Sequence, residues 1–169
     1  MVIAALKNPR DMALKLFREA GRTWNAHDMA AMGDHFLNFC ETNSALRDWV
    51  MEHQGHAKGS KAFETWRSEA KGYFGECADL ANVSKHFQIL KKTAQMNEVV
   101  ETRVALTPYG VIEGSESSHP SFDIVLSDER TIDLMQFLFQ ICTAREEIFQ
   151  TDTGLGEIPS HIYAMQALR

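Results

Sequence analysis

A chain of 169 residues with 44% hydrophobic and 24% charged side chains sits in the ordinary globular range, long enough to bury a core and too apolar for wholesale disorder. Its formal net charge of −6 excludes a general nucleic-acid-coating role, and no apolar run approaches the roughly 18–20 residues of a bilayer span. The opening MVIAALKNPRDMALKLFREAG has neither the charge order nor the apolar stretch of a secretory leader, so a cytoplasmic location with no membrane contact is expected.

The first helix is signalled by Asn8-Pro9: Asn caps well, and Pro at the first helical position loses no needed hydrogen bond. Met12, Leu14, Leu16, Phe17 and Ala20 follow, and Gly21 is expected to end or loosen the helix. A second helix is predicted from about Asn25 to Gln54, where Met32, Phe36, Phe39, Cys40, Asn43, Leu46 and Val50 recur at spacings of three and four. Asn43 is the odd member of that stripe, and a polar amide in an apolar seam needs a partner.

HQGHAKGS (53–60) reads as a loop, and Ser60 opens a third helical region that bends around Gly72 and Gly75 and runs to about Lys92. Tyr73, Cys77, Leu80, Ser84 and Phe87 mark one face of its second half. VVETRVAL (99–106) is rich in β-branched residues, Thr107-Pro108-Tyr109-Gly110 reads as a turn, and FDIVL (122–126) reads as an antiparallel partner strand. Between them EGSESSHPS (113–121) reads as a polar loop. After a turn at 127–130 a last long helix is predicted from about Ile132 to Phe149, with Leu134, Leu138, Ile141, Arg145 and Ile148 at helical spacing. The tail from Thr151 either docks as a final helical turn or frays.

These elements predict one mainly α domain over 1–169, a four-helix bundle with an antiparallel β-hairpin (about 97–127) inserted between the third and fourth helices and a C-terminal tail at 151–169. Cys40, Cys77 and Cys142 each fall in an apolar-periodic segment and are read as reduced core residues.

Charge is unevenly spread. From His56 to Lys92 seven Lys/Arg face four acids, a surplus of three positive charges, whereas from Glu113 to Glu157 ten acids face two Arg, a surplus of eight negative charges. The basic stretch either orients a polyanion or forms the solvated faces of two helices.

Walker-type loops, dinucleotide-binding glycine patterns, nucleophile elbows, HExxH and paired CxxC motifs are missing from the sequence. The first chemistry-bearing segment is RDWVMEH (47–53). With its Arg, a following polar residue and a His beyond, it resembles the HEPN superfamily of helical-bundle proteins. That resemblance implies a dimeric RNA-binding or metal-independent RNA-cleaving domain, a toxin or defence component, with Arg47 on phosphate, His53 as general acid/base and Asp48 orienting one of them. The chemistry is sound: a near-neutral His shuttles the proton of the ribose 2′-hydroxyl, and a guanidinium stabilises the phosphorane-like transition state. Residues six apart on a helix differ by about 240°, so the two side chains meet only if the helix ends before His53 or if two subunits pool their motifs. The alternative assignment is a surface Arg and a helix-terminal His favoured by the dipole.

The second segment is Asn82-Val83-Ser84-Lys85-His86-Phe87. LRDW (46–49) with CxxxANxSKHF (77–87) resembles a family of small uncharacterised bacterial and phage-associated proteins, which brings no activity with it. Asn82 and His86 share a helical face, and with Lys85 and Asn43 they are read either as a phosphate-binding set beside Arg47 or as a buried network fixing helix register. A metal site from His53, His56 and His86 would be poorly preformed, so no metal and no cofactor is expected. Trp24, Trp49, Trp66, Tyr73 and Phe74 either stack bases or form core and dimer interface. The competing functional class is a non-catalytic interaction protein, with a structural polar seam and an acidic second half that binds a protein partner.

Overall fold

The computed structural model describes residues 6–83 and 95–167. Helix α1 (Pro9–Asn25) begins where Asn8 accepts a hydrogen bond from the Asp11 amide at 2.9 Å, and it buries Met12, Ala13, Leu16, Phe17 and Ala20. It does not end at Gly21. A side chain there would stand 2.5 Å from the Met165 carbonyl oxygen, so this glycine serves a close helix–helix approach rather than a terminus. Helix α2 (Met29–His53) is capped by Asp28, whose carboxylate accepts from the Ala31 amide, and its apolar stripe is fully inside.

The third helical region is broken into a short helix α3 (Lys61–Thr65), two 3₁₀ turns and helix α4 (Tyr73–Val83). The break lies at Ala70, Lys71 and Gly72, all at positive φ, and the two non-glycine residues each cost about 1 kcal/mol there. Gly75, expected to share in the bend, is helical. A Cβ there would lie 2.8 Å from the Arg67 carbonyl oxygen, so close packing requires the glycine.

Strand β1 (Gln95–Arg103) is followed by a small hairpin of β2 (Leu106–Thr107) and β3 (Gly110–Val111), then by β4 (Ser117–Val125) and β5 (Thr131–Asp133). β1 and β4 pair antiparallel with Glu98 opposite Phe122 and Val99 opposite Ser121, and the sheet order is β1-β4-β5. β4 starts five residues before Phe122, so half of the expected polar loop is strand; its alternation is masked because Ser121, not an apolar residue, is the buried member beside Phe122. β5 was hidden at the start of the predicted last helix. Ile132 buries itself opposite Ile124, and Asp133 then accepts from the Gln136 amide to start helix α5 (Leu134–Thr151). Helix α6 (His161–Ala167) docks on α1.

The described residues are thus mainly helical with a small antiparallel sheet; they hold six α-helices and a three-stranded sheet rather than four helices and a hairpin. The core gathers around Phe36, whose ring lies 4.9 Å from Phe122 and 5.7 Å from Phe137, joining α2, the sheet and α5. Each such buried ring contributes about 1.5–3 kcal/mol. Phe39, Cys40, Leu46, Val50, Leu80, Leu138 and Ile141 are buried as their spacing predicts, and Phe87 lies outside the described residues. Cys40, Cys77 and Cys142 are free and buried; burial pushes the Cys40 and Cys142 thiols well up. No helix among the described residues is long and apolar enough to cross a membrane.

Candidate functional site

Arg47 and His53 face different neighbours. The Arg47 guanidinium is held by Asp48, with Nε and Nη2 at 2.7 and 2.6 Å from Oδ1, and it lies 4.8 Å from the Trp66 ring centroid. α2 continues through His53, so the two side chains leave the helix about 240° apart. His53 is exposed at the helix end, its Nε2 4.0 Å from Asp152. Within one chain, Arg47, Asp48 and His53 therefore do not converge on a common cleft; only a pooling of two chains would bring such a pair together.

Of the second group, Asn43 and Asn82 are the described members. Asn43 is fully buried and binds Arg145, which donates from Nε to its side-chain oxygen at 2.8 Å and from Nη2 to its backbone carbonyl at 3.0 Å. Asn82 is exposed on the last turn of α4, and Lys85 and His86 lie outside the described residues. Among the described residues, the partner of Asn43 comes from α5. Trp66, Tyr73 and Phe74 are core, with Trp66 and Phe74 stacked at 5.4 Å, rather than a base-stacking platform. Among the described residues, no group of three or more His, Cys, Asp or Glu is placed to hold a metal ion.

What the fold does present is an apolar arm. β1 is the outer strand of the sheet among the described residues, and the β2–β3 hairpin extends beyond it. Val100 is 77% exposed, Leu106 72%, Tyr109 99% and Val111 58%. Soluble monomers seldom gather such residues without a partner for them. The arm is held in shape by its own bonds. Leu106 pairs with Val111, the Tyr109 amide donates to Thr107 Oγ1, Ile112 donates to the Ala105 carbonyl at 2.9 Å, and Ser115 Oγ accepts from the Ala105 amide at 2.9 Å.

At the arm's root Arg103 lies 3.6 Å over the Trp24 ring and donates from Nη1 to the Trp24 carbonyl at 2.7 Å, fastening β1 to α1. Burial lowers the Arg103 pKa from its ordinary value, and Glu101 opposes that shift. Four acids (Glu98, Glu101, Glu113, Glu116) against Arg103 give the arm, residues 95–116, a charge of −3. The turn at 107–110 was legible in sequence, but the exposure of its flanking apolar residues was not, because a hairpin's pattern does not say whether either face is covered.

Comparison with protein-family models, with curated proteins and with solved structures gives no match.

Proposed function

We infer that this chain is a non-catalytic interaction module whose β-arm docks a basic, extended protein segment. The observation that carries this reading is Tyr109, almost wholly exposed at the tip of an internally bonded hairpin and flanked by exposed Leu106 and Val111. An outer strand offers backbone donors and acceptors to an added strand, and apolar side chains beside it supply the affinity. The four acids of the arm favour a partner carrying Lys or Arg at alternate positions, which fits the acidic second half of the sequence. The polar seam supports the same reading: Arg145 is bonded to the oxygens of Asn43, and Arg47 is held by Asp48 and Trp66.

The test uses fluorescence anisotropy with a labelled decapeptide alternating Lys and Val, beside one alternating Glu and Val. The basic peptide should bind more tightly, weaken with salt, and lose about tenfold in affinity to a Leu106→Ser/Tyr109→Ser variant. Equal binding of both peptides, or binding untouched by the double variant, would overturn the proposal. So would a wild-type dimer by light scattering that the same variant converts to monomer, since the arm would then be closed on a second copy of the chain.

A further inference from the structure

At the opposite end of α1 from its cap, the carboxylate of Glu19 is buried, its side chain 5% exposed. One oxygen accepts from Arg22 Nη1 at 2.7 Å, and the other faces His35 Nδ1 on α2 at 3.1 Å. A carboxylate accepts only, so the proton of this contact sits on Nδ1 and Nε2 is left for another partner. A buried carboxylate must keep its donors, which fixes them in place. Here it holds a guanidinium and an imidazole from two helices on one wall. That wall lines a cleft of about 500 Å³, with His27, Asn25 and Met165 on its other sides.

Asn25 and Met165 also line a second, largely apolar cavity of about 170 Å³ bounded by Trp24, Met135, Phe139 and Ile162. His161 borders it, nine-tenths or more buried, with Nδ1 2.9 Å from Glu146 and Nε2 without a hydrogen-bond partner. Asn25 and Met165 thus line both spaces and place them side by side. The junction depends on Gly21, whose missing side chain lets α6 bring Met165 against α1.

We propose that the Arg22–Glu19–His35 cleft and the adjoining Trp24–Met135–Phe139 cavity form one binding site for a small monocarboxylic acid with a phenyl-sized apolar body. Size sets the body: a cavity of about 150 Å³ is enough for benzene. Charge sets the head. Arg22 and Glu19 cancel, so the one further proton shared between His35 and the acid balances a single carboxylate, where a dianionic phosphate would be in excess. Arg22 offers a planar fork suited to a carboxylate. One proton lies between His35 Nε2 and an acid oxygen, donated by the imidazolium or by the acid itself. The amphipathic cleft thus follows the general form of small-molecule sites, apolar with a few placed polar groups.

Isothermal titration with hydrocinnamate, hydrocinnamyl alcohol and propionate tests this on the full chain, with methyl resonances of the methionines locating the ligand. Hydrocinnamate should bind about tenfold or more tighter than either fragment, shifting Met135 and Met165 first. Arg22→Gln should reduce it to the level of the alcohol, while Met135→Trp, which fills the cavity and leaves the Glu19 group intact, should abolish binding of both. Tyr109→Ser on the distant arm should change nothing, which separates this site from the docking surface. Equal affinity for acid and alcohol, methyl shifts confined to other methionines, or no heat and no shift with all three probes would each overturn the proposal.

Discussion

Arg145 is buried to 1% exposure and is satisfied chiefly by Asn43, through two hydrogen bonds that reach from α5 to α2, while its guanidinium lies 4.2 Å from the Phe74 ring centroid. Burial lowers its pKa to about 10. The charged form is therefore disfavoured in the folded state relative to the unfolded one.

The consequence for stability has a definite sign. Below about pH 10 both states carry the proton and the full penalty is present. As pH rises from there toward the ordinary arginine value, the folded chain releases the proton first, so this group's contribution becomes less unfavourable. Arg145→Met should be near neutral or stabilising at pH 7, and its difference from wild type should shrink above about pH 10. Asn43→Leu alone removes the Nε acceptor, keeps the backbone carbonyl on Nη2, and should cost about 1–3 kcal/mol, recovered in the double variant. Urea unfolding of the four proteins checks the cycle; additive single effects would show that the two residues are not coupled.

The Asn43–Arg145 pair also shows what the sequence could and could not say. Both residues interrupt apolar stripes that are otherwise regular, and both stripes were readable. That the interruptions satisfy each other required the packing of α2 against α5. The caps of α1 and the stripe of α2 were equally legible, because they are local. β5 was not, since three residues running straight into a helix carry no periodicity of their own. The Glu19–His35 contact is illegible in sequence for another reason: a lone carboxylate between Phe17 and Ala20 signals burial, but its partner lies sixteen residues away on another helix. The Arg47–His53 spacing was legible, but the direction of the two side chains within one chain was not, because that depends on α2 running on through both.

Gly21 and Gly33 make a paired test of helix packing. A Cβ at Gly21 meets the Met165 backbone at 2.5 Å, whereas one at Gly33 meets nothing within 4 Å. Gly21→Ala should therefore destabilise by about 1–3 kcal/mol through overpacking. It should also raise hydrogen exchange selectively in α6. Gly33→Ala in the same background should stabilise by about 0.5–1 kcal/mol. If both substitutions move stability in the same direction, α6 does not lie where it is described.

The two residues of the HEPN-like pattern should separate in their effects on stability. Arg47 covers the Trp66 ring and pairs with Asp48, so Arg47→Ala should cost about 1 kcal/mol. His53 is exposed and 4.0 Å from Asp152, and His53→Ala should stay within about 0.5 kcal/mol. Total RNA incubated with wild type should be cut no faster than with the double variant. Faster cutting by wild type, removed in both single variants, would restore a shared site built from two chains.

Arg103 and Tyr109 sit at the root and the tip of the same arm, and they should divide stability from binding. Tyr109 is 99% exposed and touches no core residue, so Tyr109→Ser should leave the unfolding midpoint within about 0.5 kcal/mol of wild type. Its effect should appear in affinity for the basic peptide alone. Arg103 is different in kind: it lies 3.6 Å over Trp24 and bonds the Trp24 carbonyl, where removal breaks a stacked, partly desolvated contact between β1 and α1. Arg103→Ala should cost about 1–2 kcal/mol and loosen β1, raising exchange of its amides more than those of α5. Arg103→Lys keeps the charge but not the planar stack and should recover less than half of that loss. If Tyr109→Ser were instead the more destabilising change, the arm would be packed on the body of the protein, and its apolar residues would not be free to meet a partner.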